Sequence, residues 1–512
     1  MPTTTTQPNS RPERVETSLS QIRDQDFGYA QARHLLLRAG FGGTDEQIRT
    51  LARWGPEAAV DHLLNYGEIP AASDPRDEFD RDIMQPLNTA EQRTVKLARQ
   101  TSDENVLAQY RSKRQKAQRA DRNQMREIQQ WWFTRMIQTP RPLEEKLTLF
   151  WHGHFATSFR TIENSYHMYQ QNRMFRANAN GNFADLLRAI VRDPAMLKYL
   201  NNHQNKKTSP NENFAREIME LFSLGEGNYT ERDIKDGAKA LTGFTYKDDT
   251  FSFDKKAHDN NSKRILGMVG NLDADGFVNA ILMSNACAPF ICAKLYKFFV
   301  ADISTNTKAL TGPERTVVRA LSTMFQSQRY ELKPVLRKLF LSRHFYDPSV
   351  MGTKIKSPVE LVVGAVRTLN VPVRNIKLLS DAMDMMGQSI FLPPSVKGWD
   401  GGRSWINTST LFVRQNTLVY MLTGRQSGRR FVDSSPYDPT RLVASMNDPR
   451  LDSNPPPNLI ANELLDLVLG HRPQGVNELL VDAAKKVEKP NTTKGIVTML
   501  ALITSMPEYQ LC

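Results

Sequence analysis

The sequence predicts a mainly α protein, a large multi-helix globular fold with one short β-hairpin. Apolar residues recur mostly at helical spacing from Phe27 onward. Two Ser-Pro-x-Glu segments have the composition of helix starts, whereas strand-like alternation is confined to residues 244–253. With 512 residues, 40% of them hydrophobic and 24% charged, the chain is long enough to bury a large core.

Residues 1–26 differ in composition from the rest of the chain. They are rich in Thr, Pro, Arg and Gln and contain almost no apolar residues, so we predict a disordered leader. The segment lacks the apolar core of a signal peptide, and no later stretch has the length and apolarity of a membrane span. We therefore expect a cytoplasmic location and no membrane span, and we leave open export together with a partner protein.

Residues 27–451 form the predicted main helical domain, whose helices follow from apolar stripes at helical spacing. In chain order these stripes lie at residues 35–38, 125–136, 143–154, 234–241, 291–298, 335–339, 379–386 and 411–422. Alternating aromatic residues around positions 247–250 predict the β-hairpin. These residues are Phe244, Tyr246, Phe251 and Phe253.

Two helix starts within this domain have the strongest local signal. In Ser209-Pro210-Asn211-Glu212 and in Ser357-Pro358-Val359-Glu360, serine occupies the N-cap, proline the first helical position and glutamate the third. The hydroxyl and the carboxylate can then satisfy free backbone N–H groups reciprocally. We expect the helix that follows Ser209 to end at Leu224, because Gly225 comes next.

Two further segments complete the predicted organisation. Residues 91–130 contain ten Lys or Arg against five Asp or Glu, which predicts a basic arm, a long solvated helix or helical pair that projects from the body. A Pro-rich linker at residues 452–458 precedes residues 459–512, which we predict to be a C-terminal helical segment packed on the main domain.

The first candidate site is the pair of histidines at positions 152 and 154. On a continuous helix, side chains two positions apart point about 200° away from each other. His152 and His154 could therefore bind one metal ion only if the chain left the helix near Gly153. The alternative is that His154, in register with the apolar stripe, is a hydrogen-bonded core histidine.

The second candidate is the polar face of the helix that follows the first Ser-Pro-x-Glu segment. Arg216, Glu217 and Glu220 lie on this face. On a solvent side, Arg216 and Glu220 would form only an i, i+4 ion pair, worth roughly 0.2–0.5 kcal/mol. On an inner side, Glu217 and Glu220 could bind a divalent cation together with His152 and His154, or act as acid and base beside Arg216.

Two loops provide the remaining candidates. His258 and Asp259, after the predicted hairpin, could both face a cleft and act as acid and base, or they could simply be solvated. The Gly-rich residues 398–405 carry Trp399 and Trp405, which either plug the core or line a pocket.

Nine segments, spaced along residues 28–511, together carry a family resemblance. They are FWHGHF at 150–155, PNENFARE at 210–217, LFSLG at 221–225, GNYTE at 227–231, ALTGF at 240–244, HD at 258–259, KSPVE at 356–360, the MGQ-to-PP-to-GW run at 386–399, and MPEYQ at 506–510. In this order they resemble the bacterial domain of unknown function 1800 family. Gly153 and Asp400 stand where that family more usually has Asn and Pro.

The resemblance implies one shared site. Its most characteristic polar residues are the candidates already named on chemical grounds, namely His152, His154, Glu217, Glu220 and His258. Members of the family often occur beside a second family that is secreted, which implies work in envelope or polymer metabolism.

These observations lead us to expect a metal-assisted or carboxylate/histidine acid–base enzyme, hydrolase-like, with a divalent metal as its candidate cofactor. The alternative is a non-catalytic scaffold or escort for a secreted partner protein encoded nearby, with the basic arm making the contact. Nucleic-acid binding through that arm is a weaker alternative. The net charge is +12 and the pI about 9.4, but Tyr110 is the only aromatic residue of the arm that could stack on bases.

Overall fold

The computed structural model describes residues 16–71, 78–425, 437–444, 446 and 455–512. It confirms the mainly α class, since the described residues contain, besides their helices, two small two-stranded antiparallel sheets. Residues 1–15 of the predicted leader, the domain boundary at residue 451 and the beginning of the predicted linker lie outside the described residues.

The first eleven helices build most of the surroundings of the candidate residues. They are α1 (Tyr29–Ala39), α2 (Asp45–Leu64), α3 (Thr89–Gln100), α4 (Glu104–Gln138), α5 (Pro142–His154), α6 (Phe159–Ile162), α7 (Ser165–Ala177), α8 (Phe183–Ile190), α9 (Pro194–Tyr199), α10 (Asn213–Met219) and α11 (Glu231–Ala240). α5 lies at the centre, where every residue except Gly153 is buried and α1, α2, α4 and α7 pack around it.

The second half of the chain continues in the same manner. Its helices are α12 (Ala274–Met283), α13 (Cys287–Phe299), α14 (Gly312–Ser327), α15 (Leu332–Phe340), α16 (Pro358–Leu369), α17 (Ile376–Met385), α18 (Thr408–Thr423), α19 (Thr440–Ala444), α20 (Pro457–Val468), α21 (Val476–Val487) and α22 (Thr493–Ser505). Within the described ranges, no single helix is long and apolar enough to cross a membrane. α12 and α13 reach that length and apolarity only jointly, and they are bent by 77°.

Both sheets are hairpins that lie between α11 and α12. The predicted hairpin is confirmed as β1 (Phe244–Lys247) and β2 (Thr250–Phe253), in which Phe244 pairs with Phe253. A second hairpin, β3 (Lys263–Ile265) and β4 (Met268–Gly270), was not predicted, because three-residue strands leave no alternation to recognise. Asp233 and Asp236 of α11 hold it by accepting the backbone N–H groups of Leu266 and Arg264.

Residues 16–26, which the composition assigns to the disordered leader, lie against the body of the protein. Ile22 is buried, and its N–H donates to the Leu341 carbonyl at 2.8 Å. The N–H of Glu16 donates to the Asp347 carboxylate at 2.9 Å. Backbone pairing with the chain near residue 342 stabilises this segment, and composition does not reveal such pairing.

The predicted cap at Ser357 is confirmed. α16 begins at Pro358, and the Ser357 hydroxyl accepts a hydrogen bond from the Glu360 N–H at 3.3 Å. In return, the Glu360 carboxylate accepts the Ser357 N–H at 2.7 Å. The two bonds form the reciprocal capping box that this sequence pattern predicts.

The predicted cap at Ser209 is wrong. α10 begins at Asn213, and the N–H of Ser209 lies in a turn in which it donates to the Lys206 carbonyl at 2.9 Å. The reason is the side chain of Asn205, whose oxygen accepts the N–H of Asn211 at 2.9 Å. Asn205 in turn donates an amide N–H to the Ala238 carbonyl of α11 at 2.9 Å, so a contact between residues 33 positions apart fixes the oxygen that holds Asn211 before the start of α10.

The basic arm is a helical pair, as one of the two predicted forms. Ala98 is the single buried residue of α3, and Lys113 of α4 forms an ion pair with Glu91 of α3. From Asp121 onward, α4 enters the core, where the Asp121 carboxylate accepts the Ser165 N–H at 2.7 Å. The exposed arm is therefore shorter than predicted and ends before residue 121.

Candidate functional site

A cavity of about 420 Å³ lies where the end of α5, the segment after α10, α13, the start of α16 and residues 397–405 meet. Aromatic rings form its apolar walls, and these are Phe150, Phe290, Phe298, Trp399 and Trp405. Its cationic residues are Lys294, Lys297, Lys354 and Lys397, and its acidic residues are Glu220, Glu226, Asp302, Glu360 and Asp400. Of the two interpretations left open for Trp399 and Trp405, the structure shows that both line a pocket.

His154 lines this cavity at the last position of α5. Its Nε2–H donates to the Phe222 carbonyl at 2.9 Å, since a carbonyl oxygen can only accept. Its Nδ1 is buried and has no partner among the described residues. Burial, and then the charge of Lys294, lowers the pKa of His154 to about 3. The imidazole is therefore neutral at ordinary pH and presents a free acceptor.

His152 faces the other side of α5. Its Nε2 accepts the N–H of Phe391 at 2.9 Å, and its ring packs against Trp132, Phe391 and Trp399. Burial lowers the pKa of His152 to about 3. Phe391 has a positive φ of 66°, so this hydrogen bond stabilises a backbone conformation that non-glycine residues rarely adopt.

The four predicted metal ligands do not form a cluster. His152 and His154 point to opposite sides of α5, and each uses its Nε2 for a backbone hydrogen bond. In the described part of the chain, no three His, Cys, Asp or Glu side chains are placed to hold one metal ion. The physical reason is that α5 continues through Gly153, where the metal prediction required the helix to break.

A π-helical turn, Glu220–Leu224, follows α10 directly. The helix ends where the sequence predicts, at Gly225 with φ +79°, but its last turn is wider than an α-helical turn. At this wide end, the Phe222 carbonyl accepts its hydrogen bond from His154. π-Helical turns are rare and occur frequently at functional sites.

Glu217 and Glu220 lie beside each other at this turn, and both are partly buried. Glu220 lines the cavity and accepts a hydrogen bond from the Tyr229 hydroxyl. Glu217 is not among the residues that line the cavity. Burial, and then the charge of Glu220, raises the pKa of Glu217, while Lys397 opposes this shift. Glu217 therefore holds a proton more tightly than an ordinary glutamate.

Arg216, His258 and Asp259 do not line the cavity. Arg216 forms ion pairs with Glu231 at 2.9 Å and with Glu212 at 3.2 Å. These carboxylates hold its guanidinium in place and explain why it does not turn toward the cavity. Arg216 is therefore not part of this cavity, where the sequence analysis expects it beside Glu217 and Glu220, and its catalytic role stays a prediction.

His258 and Asp259 brace the loop after β2. The His258 Nδ1–H donates to the Thr242 carbonyl at 2.8 Å, and the N–H of Asp259 donates to the Thr242 hydroxyl at 2.8 Å. The Asp259 carboxylate accepts the N–H of Asn261 at 2.7 Å. The loop thus closes on the end of α11, which removes both side chains from the cavity where the sequence analysis placed them.

Glu360 and its two lysines form a buried ionic group at the edge of the cavity. Lys146 lies 2.6 Å and Lys354 3.7 Å from the carboxylate. Burial alone would raise the pKa of Glu360, but the two ammonium groups and the hydrogen bond from Ser357 hold it well below its usual range. All these contacts of the carboxylate, with Lys146, Lys354 and the Ser357 N–H, are structural.

Lys294 is a cavity residue that the sequence analysis missed. It is partly buried on α13, its ammonium lies 5.2 Å from the centre of the Phe290 ring, and it has no ion pair or hydrogen bond within the described ranges. Burial, and then the charges of Lys297 and Lys397, lowers its pKa from 10.5 to about 8. The available signal was a pair of cations, Lys294 and Lys297, in the otherwise mostly apolar run CAPFICAKLYKFF.

Residues 34–511 match the model of a family described as protein of unknown function (DUF1800). The chain belongs to the DUF1800 family. The match covers nearly the whole chain and includes every residue that lines the cavity. No curated protein and no solved structure matches the chain.

Seven of the nine segments that carry the DUF1800 resemblance serve two structural purposes in this chain. Five of them line the cavity, each through at least one residue, and these residues include His154, Leu221, Asn228, Ser357 and Trp399. The segments at 240–244 and 258–259 instead bond to each other through Thr242 and His258. The DUF1800 signature thus marks both a cavity and the loop that braces α11.

Proposed function

We propose that this DUF1800 protein is an enzyme that binds a small polar molecule in the cavity and uses Glu220 and His154 for acid–base chemistry. One observation supports the proposal best. His154 Nδ1, an acceptor, and the Trp399 indole N–H, a donor, are both buried without partners among the described residues, and both residues line the cavity. Buried polar atoms are nearly always hydrogen-bonded in folded proteins. A ligand that donates to the imidazole and accepts from the indole would satisfy both atoms.

Glu220 is the acid–base group in this proposal. Tyr229 donates its O–H to one carboxylate oxygen of Glu220, which leaves the other oxygen for a proton of the substrate. His154 remains neutral because its pKa is about 3, so it orients the substrate by accepting a hydrogen bond. The proposed reaction class is hydrolysis, which keeps the carboxylate/histidine chemistry expected from the sequence and leaves out the metal.

The test is a screen of the full-length protein against chromogenic esters, amides and glycosides. With a substrate in hand, Glu220→Gln should lower kcat/KM by about 100-fold or more and leave the thermal midpoint nearly unchanged. Glu226→Gln is the matched control, because Glu226 lines the same cavity but has no hydrogen bond to Tyr229. Equal activity of Glu220→Gln and wild type would contradict the role of Glu220. If none of the esters, amides and glycosides is turned over and none shifts the thermal midpoint, the proposal that the protein is an enzyme is contradicted.

The second candidate function is a scaffold or escort for a partner protein, with contact through the exposed arm formed by α3 and residues 104–120. Leu97 of α3 favours it, since this apolar side chain is 60% exposed on a helix with a single buried residue. Nucleic-acid binding through the same arm is the weaker alternative, because acidic residues such as Glu91 pair with its lysines.

A further inference from the structure

We propose that Lys294 is a nucleophilic amine that captures a small aldehyde or ketone in the cavity as a Schiff base. The inference rests on the proposed function in one respect, that this cavity is the active site. It goes beyond the proposed hydrolysis, because it adds a further class of ligand, an aldehyde or ketone, and a covalent role for a residue outside the segments that carry the family resemblance.

The first argument is the position of the amine. α13 carries Lys294 to the cavity wall, where its nitrogen lies over the Phe290 ring and has no acceptor among the described residues. Two other lysines of the cavity are held in ion pairs, since Lys297 lies 3.3 Å from Asp302 and Lys354 lies 3.7 Å from Glu360. The amine of Lys294 is therefore partly desolvated and not held by an ion pair, which is the usual setting of a nucleophilic lysine.

The second argument is the charge around this amine. The titratable groups that line the cavity with it are His154, Glu220, Glu226, Lys297, Asp302, Lys354, Glu360, Lys397 and Asp400. Burial, and then the charges of Lys297 and Lys397, lower the pKa of Lys294 to about 8. About a tenth of the amine is thus unprotonated at pH 7, against well under a thousandth for an exposed lysine.

The proposed step needs no co-reactant beyond the carbonyl compound. The nitrogen lone pair attacks the carbonyl carbon, a C–N bond forms, and the π electron pair of the C=O bond moves to oxygen. The proton lost from nitrogen is delivered to that oxygen, which gives a carbinolamine. A second proton then lets the hydroxyl leave as water while the nitrogen lone pair forms the C=N bond, and Glu220 is the cavity group that can pass these protons.

The surrounding side chains fit this chemistry. The unpartnered Nδ1 of His154 can accept the O–H of the carbinolamine, and the Trp399 indole N–H can donate to the carbonyl oxygen before attack. Aromatic walls and a volume of about 420 Å³ suit a small carbonyl compound with an apolar or aromatic body.

The test is reductive trapping on the full chain. Wild-type protein is incubated with benzaldehyde or, separately, with pyruvate, reduced with sodium borohydride, digested and analysed by peptide mass spectrometry. We expect adducts on Lys294 at least about tenfold above those on Lys297 at pH 7, and an increase in labelling as the pH rises through 8. Lys294→Arg should abolish the main adduct, whereas Lys297→Arg, three residues along the same helix, should keep it.

The site of labelling in the wild-type protein decides the matter even if Lys294→Arg fails to fold. Adducts spread evenly over surface lysines, or stronger labelling of Lys297 than of Lys294, would overturn the inference. The trapping experiment and the turnover experiment also test the two proposals independently. Trapping on Lys294 with full activity of Glu220→Gln would refute only the role of Glu220, and loss of that activity without trapping would refute only the Schiff base.

Discussion

The backbone oxygen of Gly153 lies so close to Gly398 that a Cβ atom on Gly398 would stand 2.2 Å from it. Gly398 also has φ +77°, a conformation that disfavours every residue with a side chain. Trp399 follows directly, so this contact between two glycines fixes one wall of the cavity against the end of α5.

Replacing Gly398 by Ala should therefore destabilise the protein, by about 2 kcal/mol or more, because it combines a clash with backbone strain. Urea denaturation followed by tryptophan fluorescence measures this change. Gly153→Ala is the matched control, since its Cβ would meet only the Trp399 ring, at 3.9 Å, and should alter stability by less than about 1 kcal/mol. Similar stability of the two variants would show that the contact is unimportant.

The two serines that precede prolines differ in their contribution to stability. Ser357→Ala should lower the free energy of unfolding by about 1 kcal/mol, since it removes the N-cap bond of α16. Ser209→Ala should change it by less than about 0.5 kcal/mol, because the exposed Ser209 side chain caps no helix. Chemical denaturation of both variants checks this. A larger loss of unfolding free energy for Ser209→Ala than for Ser357→Ala would support the N-cap that the sequence predicts at Ser209.

Asp193 should make stability depend on pH. It is buried at the N-cap of α9, and burial raises its pKa from 3.8 to about 7 although Met196 N–H and Gln171 donate to it. Between these values the folded protein holds a proton that the unfolded chain has lost. The free energy of unfolding should therefore fall as the pH rises from about 4 to about 7, by up to about 1.4 kcal/mol per pH unit, and stay level above.

The comparison with Asp193→Asn isolates this effect. The amide oxygen of asparagine can accept the same two N–H groups but does not titrate, so the variant should gain stability over wild type as the pH rises. Asp185→Asn, at an exposed position of α8, serves as the control and should track the wild type. A constant difference between Asp193→Asn and wild type from pH 4 to 8 would mean that Asp193 ionises normally.

The ion pair between Glu91 and Lys113 marks a place where the outer part of the exposed arm can be deleted. Glu91 and Lys113 are in contact, so replacing residues 92–112 by a short Gly-Ser linker should leave the body folded with a similar thermal midpoint. We expect the intact protein to bind DNA only weakly and only at low salt, with a linear decrease of log affinity against log salt. Sub-micromolar binding at physiological salt that this deletion abolishes would make the arm a nucleic-acid site.

The sequence predicts features that depend on local chemistry and misses those that depend on distant atoms. The hairpin at 244–253 and the cap at Ser357 involve neighbours within ten residues, and both are confirmed. The cap at Ser209 fails because Asn205, which accepts the N–H of Asn211, is itself fixed by the Ala238 carbonyl of α11, 33 positions away.

The same distinction between local and distant contacts explains which residues of the cavity the sequence predicts. His154 fits the interpretation of a hydrogen-bonded core histidine through its Nε2, and its other ring nitrogen belongs to a cavity wall. That Glu220 and His154 line one cavity was expected from their chemistry, whereas His258 could be placed only once the fold was known. Lys294 was missed because a lysine becomes unusual through burial and neighbouring charges, which spacing along a helix does not report.

A π-helical turn contains one residue more than the α-helical turn it replaces. Loss of one residue within 220–224 would restore a regular helix with better internal hydrogen bonds, and it would also withdraw the Phe222 carbonyl from His154. We therefore expect that deletion of a single codon within this segment rearranges this wall of the cavity. A homologue with a one-residue gap at this turn should therefore share the helical scaffold but differ in this wall of the cavity.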